Sequence, residues 1–473
     1  MTNEQITILQ DLMFYTVPGD LAGKLDEFRS EMKEAYGAAD AAGKAEIAET
    51  IAEGAVDLKS VLADWNLKSA KRYGNAVATD AQLDEQFEAN LALLEELGES
   101  DEAQRARDDV QTLAASNLVK MTRMTLAGEL NTWWGNDYAT GLRKAMQKGA
   151  ILVTTNPVLV DTARKEDPEY WTPVRDELQE RLGKQCDPVT LAYAMTIEVV
   201  LYNARLLRPI WEITDGELGY VSLQLNPKEA SNADKMVEEA TWVFNQIAEE
   251  LGGTPNIVFK IPGTAAGIEA AERMTSQAMG VNVTVNYALP QQIAFAAAIE
   301  KNSTAKVCFR TQMDGRLDDP IGEELEAAGV EDWEEVKKWA TTAMRQREYH
   351  LLNHPPTEGG LGFTKSFPLA ASGRGPWNID RGTSNGPVPN FITIFPNKAE
   401  EYDAEPREID PDGIWATVPD GYLDKLMKSK IFRQAYEPDG MMPEEFIDFV
   451  PSARTLKQFG EAYDEFLAWV CGS

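Results

Sequence analysis

Two hydrophobic rhythms run along the chain and meet near residue 120. Before that point apolar residues recur at helical spacing. Leu21, Leu25, Phe28 and Met32 share one face of a helix that starts at Asp20, and Leu83, Phe87, Leu91 and Leu94 share a face of another that stops at Gly98. Further helical stretches run from about Ile47 to Leu62 and from about Ala103 to Leu118. Residues 1–120 therefore read as an all-α extension, with packing or homo-oligomerisation as its expected role.

From about residue 124 short strand-like runs alternate with helical patterns. The expected strands are Leu126–Trp134, Ile151–Thr155, Tyr220–Leu225, Ile257–Ile261, Val281–Asn286, Lys306–Met313, Ser366–Ala371 and Phe391–Phe395. Eight strands in roughly 270 residues have the size and rhythm of an α/β fold of the (β/α)8 TIM-barrel type. A doubly wound open sheet is the alternative, but no Gly-x-Gly-x-x-Gly turn follows any of these strands. The barrel is expected over residues 121–473, with a helical tail around Thr455–Trp469. Two loops look long for their places, Asn353–Gly362 and Gly373–Pro389; each is a lid or substrate-shaping loop, or a plain surface insertion.

Composition narrows the function classes. Lys and Arg total 45 against 77 Asp and Glu, a formal charge of −32, which argues against nucleic acid or an anionic membrane as partner. No apolar run is long enough for a membrane span, and Met1–Gln5 lacks the basic and apolar regions of a signal peptide. Three widely spaced cysteines (Cys186, Cys308, Cys471) suit a reduced, cytoplasmic protein and offer no metal spacing. With only His350 and His354, neither a zinc site nor a histidine triad is expected, and no cofactor is implied.

The chemistry centres on Asn256–Ala271. Lys260 ends an apolar strand, Pro262-Gly263 breaks it, and Thr264 can cap the next helix. A cation is costly inside a sheet covered on both faces, so Lys260 is either an amine nucleophile or an ammonium reaching solvent or a carboxylate. Other strand ends carry polar groups: Thr154-Thr155-Asn156-Pro157 after strand two, Gln224 in strand three, and Asn282, Thr284 and Asn286 on one face of strand five. Singly, such residues often only satisfy backbone groups.

Taken in order, these segments resemble the transaldolase family. Thr154-Thr155-Asn156-Pro157, Lys260-Ile261-Pro262-Gly263-Thr264 with Gly267-Ile268, and Val281-Asn282-Val283-Thr284 match its motifs. Met313-Asp314-Gly315-Arg316-Leu317-Asp318-Asp319 and Ala371-Ser372-Gly373-Arg374 look like its Gly-Arg and Ala-Ser-x-Arg motifs. The resemblance implies a Schiff-base enzyme acting on sugar phosphates, with Lys260 as nucleophile. Arg316, Arg374 and Ser372 are then implied as phosphate ligands; Thr155, Asn156, Asn282 and Thr284 as groups holding substrate hydroxyls and a water.

Two departures stand out. Gln224 occupies the place of the family's strand-three glutamate, as in the fructose-6-phosphate aldolase subgroup, and glutamine orients water without exchanging a proton. The strand-one aspartate that takes a proton in carbon–carbon cleavage corresponds either to Asn131, by its place before Thr132, or to Asp137, by its spacing to Asn156. A transaldolase-type transferase is the leading expectation. A lyase of the aldolase kind and a sugar-phosphate binder with impaired catalysis are the alternatives.

Overall fold

The computed structural model describes residues 21–74, 78–156, 165, 168–183 and 186–471. Met1–Gln5, Asp20 and Pro157 lie outside them. Eight parallel strands close into a barrel in sequence order: β1 Thr132–Asn136, β2 Leu152–Thr154, β3 Tyr220–Gln224, β4 Ile257–Pro262, β5 Gly280–Thr284, β6 Phe309–Met313, β7 Phe367–Ala371 and β8 Asn390–Ile394. β1 pairs with β8 from Thr132↔Asn390 to Asn136↔Ile394, which closes the ring. The TIM-barrel expectation holds, and each strand lies within a few residues of its expected place.

The first strand shows the largest shift. Leu126 and Ala127 end the helix Asn117–Ala127 instead of opening β1. Ser116 caps that helix by accepting from Val119 N, and Gly128 stops it in the left-handed region at φ 80°. The strand therefore starts at Thr132, and the segment Thr132–Asn136 leads directly to Asp137.

The N-terminal region forms six helices among the described residues, from Leu21–Ala38 to Asn117–Ala127. Ile51, Ala55, Phe87, Leu91 and Leu94 make its own core. The opposite side of Ala41–Lys59 and of the next helix, Val61–Tyr73, sends Leu58, Leu62 and Trp65 into the core that continues to Leu152 and Val221 in the barrel. The joint is also ionic. Arg143, on the helix Leu142–Gln147 after β1, reaches the buried Asp57 at 2.6 Å and also pairs with Glu53. Gln147 Nε2 donates to the other Asp57 oxygen at 2.8 Å.

Inside the barrel the floor is aromatic, with Phe309 and Phe391 edge to face at 4.9 Å. Above it lies a polar layer. Asn282 Nδ2 donates to Ser222 Oγ at 2.9 Å, and Thr311 Oγ1 donates to Asn282 Oδ1 at 2.5 Å. The loop after β7 contains a short helix, Pro376–Asp380. The helix Val450–Val470 lies against the barrel near the β2, β3 and β6 loops, with Tyr287 and Thr455 hydroxyls bonded at 2.6 Å. Among the described residues no helix is long and apolar enough to cross a membrane, and no group of His, Cys, Asp or Glu is arranged to hold a metal.

Candidate active site

Lys260 sits near the C-terminal end of β4, in register with Gln224 on β3 and Asn282 on β5. Its side chain is buried, and Nζ donates across the interior to the carbonyl of Thr155 at 3.1 Å. The turn beyond it is fixed by close approach. A Cβ at Gly267 would stand 2.0 Å from the Pro262 carbonyl oxygen, and one at Gly263 2.6 Å from the Val285 oxygen. Thr264 caps the helix Ala265–Thr275 by accepting from Gly267 N at 3.1 Å, while its own hydroxyl donates to Ala230 O.

Gln291 locks this turn to the next one. Its Nε2 donates to Gly263 O at 2.7 Å and Val285 O at 3.1 Å, and its Oε1 accepts from Tyr287 N and Ala288 N. One buried amide thus satisfies four main-chain groups on the β4 and β5 loops, where Val285 is held at φ 52°.

Asp137 follows β1 and is buried on the same side of the barrel as Lys260. Thr154 Oγ1 donates to one carboxylate oxygen, and Ser372 N approaches the other at 3.4 Å. Burial pushes the Asp137 carboxyl up, against the opposing pull of Lys260, Thr154, Ser372 and Arg316. Burial likewise lowers Lys260; Asp137 raises it again, and Arg316 adds to the lowering. Each group thus favours the charged form of the other while the low-dielectric site disfavours both.

Asn131 is elsewhere. It precedes β1 at the N-terminal rim, where its side-chain Nδ2 donates to Gly386 O at 3.0 Å and its backbone N–H to Ser384 O at 2.7 Å. Strand geometry separates it from Asp137 by about 20 Å. The structure does not bring it to the site, which leaves Asp137 as the strand-one carboxylate beside Lys260.

Arg316 and Arg374, the expected anion ligands, follow the ends of β6 and β7. Arg316 Nη1 donates to Gln458 Oε1 at 2.6 Å, and its guanidinium lies 5.4 Å from the Phe459 ring centroid. Arg374 is half-exposed and reaches Asp319 at 2.8 Å. It packs against Gly315 so closely that a Cβ there would come within 2.5 Å of its Nε. Ser372 is held at φ 58°, and its carbonyl accepts from Gly315 N at 3.1 Å, tying the two loops together. Beneath them Asp314 pairs with buried Arg345 and accepts from Asn378 Nδ2 at 3.2 Å; the Asn378 oxygen accepts from Arg374 N at 2.8 Å.

The remaining expected residues line the same end. Gln224 Nε2 donates to Leu225 O and Lys260 O. Thr284 Oγ1 contacts Met313 Sδ at 3.5 Å. Thr155 Oγ1 donates to Ser222 O at 2.8 Å, and Asn156 lines a cavity beside Gln224. The motifs did not single out Thr311, Asn378 or Gln458. Thr311 was legible as the inward position two residues before Met313. The others act from a loop and a distant helix that no strand rhythm marks.

A closed parallel barrel with its polar cluster at the C-terminal strand ends is a TIM barrel of the enzyme-like kind. Residues 140–464 match the profile of the family described as Transaldolase/Fructose-6-phosphate aldolase, and the chain belongs to that family. Its relatives include proteins named transaldolase from Thiobacillus denitrificans, Neisseria meningitidis serogroup C and Thermobifida fusca. The first is 28% identical over 240 residues, 49% of this chain and 63% of the relative. The second is 27% identical over 216 residues, 41% and 59%. The third is 30% identical over 166 residues, 34% and 42%. The matched regions therefore span less than two thirds of each of these curated relatives.

Proposed function

We propose that the protein is a Schiff-base enzyme that transfers a dihydroxyacetone unit from a ketose phosphate to an aldose phosphate. The observation that carries this reading is Lys260, a buried amine at the C-terminal end of β4 with Asp137 on the same side of the barrel. Only the neutral amine attacks a carbonyl, and neutralising a solvated lysine at pH 7 costs about 4.6 kcal/mol. Burial and Arg316 act in that direction. Lys260 Nζ adds to the ketone carbon, water leaves, and the resulting iminium accepts the electron pair of the C3–C4 bond as it breaks. Asp137 takes the C4 hydroxyl proton. Arg316, Arg374 and the Ser372 turn hold the phosphate, with guanidinium groups suited to a tetrahedral anion.

The test is reductive trapping. Borohydride added to protein with fructose 6-phosphate should leave a mass adduct on Lys260, and absence of an adduct with every ketose phosphate tried would end the proposal. Gln224 favours a second reading, in which the bound enamine is released instead of passed on, because no strand-three carboxylate manages the water. Supplying an aldose phosphate acceptor separates the two: transfer yields a new ketose phosphate, and cleavage yields free dihydroxyacetone.

A further inference from the structure

Asn378 sits in the short helix Pro376–Asp380 of the long loop after β7, and its side chain is buried. Its Oδ1 accepts from Arg374 N at 2.8 Å and from Gly375 N at 3.3 Å. Two main-chain N–H groups need that oxygen, so the amide has one orientation. Its Nδ2 then donates to Asp314 Oδ2 at 3.2 Å. Asp314 opens the helix Asp314–Ala327, two positions before Arg316. One side-chain amide therefore joins the loop of Arg374 to the helix of Arg316.

The brace is itself fixed from behind. Arg345, buried on the helix Ala340–Asn353, pairs with Asp314 through Nη2 and donates from Nη1 to Arg381 O at 3.2 Å. Arg381 closes the short helix, so one guanidinium holds Asp314 and the far end of that helix together. Trp377 lies over the turn, where a Cβ at Gly375 would stand 2.1 Å from its ring. Apolar anchoring is already supplied by Ile379, which shares a core with Ile392 and Ile394. A loop that needed only a tether would gain little from a buried amide, carboxylate and guanidinium, each costly to desolvate. What the polar brace adds is direction, because hydrogen bonds fix the Arg374 main chain in a way that apolar contact does not.

We infer that Asn378 is a positioning residue for anion binding, setting the Arg374 loop against the Arg316 helix through Asp314 and Arg345. The inference rests on the phosphate role proposed above for the two arginines. Two guanidinium groups share one tetrahedral anion well only at a set separation, since each makes directional contacts. Asn378 touches neither the substrate nor the reacting atoms. Its loss leaves both charges present and changes only where one of them starts. The signature is a weaker hold on phosphate with the Lys260 chemistry untouched.

The experiment uses the full chain with inorganic phosphate, fructose 6-phosphate and fructose. Asn378→Ala should weaken inorganic phosphate about tenfold, the worth of one good hydrogen bond, and raise the KM for fructose 6-phosphate to match. Borohydride trapping with fructose should stay within about twofold of wild type, a split that general damage would not produce. In an Arg374→Ala background the same change should cost nothing further, because it acts through Arg374. Unchanged phosphate affinity in Asn378→Ala, or equal losses with both sugars, overturns the inference. Phosphate binding that Arg374→Ala leaves as in wild type removes the phosphate reading and the inference with it; the phosphate arm does not depend on Lys260. Should Asn378→Ala not fold, Asn378→Asp is compared with the exchanged pair, Asp314→Asn with Asn378→Asp. The single change sets two carboxylates together, and the exchange restores one amide and one carboxylate across the same gap. The exchanged pair should bind phosphate at least about fivefold tighter than the single variant, and no recovery overturns the inference.

Discussion

Lys260 Nζ donates to the main-chain carbonyl of Thr155 at 3.1 Å, so the second strand's loop holds the amine of the fourth. A carbonyl is a neutral acceptor and orients the amine without fixing a permanent counter-charge against it. Replacing Lys260 with Met should abolish borohydride trapping and lower turnover by at least about 10⁴-fold, since the proposed imine forms on this amine. Mass spectrometry and steady-state assays read both effects.

The shifted pKa values predict a pH signature in stability. The folded pKa of Lys260 is lowered by burial, so between that lowered value and about 10.4 the unfolded chain binds the extra proton. The contribution of Lys260 to stability therefore rises with pH across this window and is unfavourable below it. Asp137, raised by burial, has the opposite sign: between about 3.9 and its raised value the folded chain binds more protons, and its contribution falls as pH rises. In an Asp137→Asn background, Lys260→Met should stabilise most at neutral pH and lose its advantage by about pH 10.4. Denaturant titrations at several pH values would show it, and a pH-independent difference would contradict the lysine assignment.

Asp137 and Asn131 separate cleanly. Asp137→Asn should lower carbon–carbon cleavage about 10²- to 10⁴-fold, the usual worth of a positioned base, while borohydride trapping persists. Asn131→Ala removes one bond to Gly386 O at the far rim and should cost stability of about 1 kcal/mol with little change in turnover.

Gly315 is predicted to matter through Arg374. A methyl group at this position meets the guanidinium at 2.5 Å from Nε, so Gly315→Ala should displace Arg374 and raise the KM for phosphorylated substrates. The rise should match that of Arg374→Ala to within a few-fold, and the two changes together should not add. A non-phosphorylated ketose should show neither effect.

The helical extension is expected to stabilise the barrel through Arg143. Arg143→Met leaves the buried Asp57 without its cation, with Glu53 keeping only Lys144 at 3.9 Å, and should cost about 3 kcal/mol or more. Calorimetry would record it, and Asp57→Asn in the same background should recover part of the loss.

The barrel was readable in the sequence because its strands are short apolar runs between helical patterns, each limited by Gly, Pro or a capping residue. Lys260 stood out in its apolar run, but the run alone left an ordinary ammonium open, and only the ordered motifs on the neighbouring strands singled it out as the expected nucleophile. The strand-one carboxylate was ambiguous for a local reason: Leu126 and Ala127 look like strand but finish a helix, and only the Gly128 stop sets where β1 begins. The buried pair of Asp314 and Arg345 and the bond from Arg316 to Gln458 were not readable at all. Both join segments far apart in sequence, and neither the strand period nor the helix period carries that information.

The helix Val450–Val470 supplies part of the surroundings of the site from far along the chain. Without it Arg316 would lose its Gln458 and Phe459 contacts, and the cavity beside Gln224 would lose one wall. The surroundings of the buried Lys260 thus depend on a segment nearly two hundred residues further along the chain, so a change in that helix reaches the barrel interior without touching a strand.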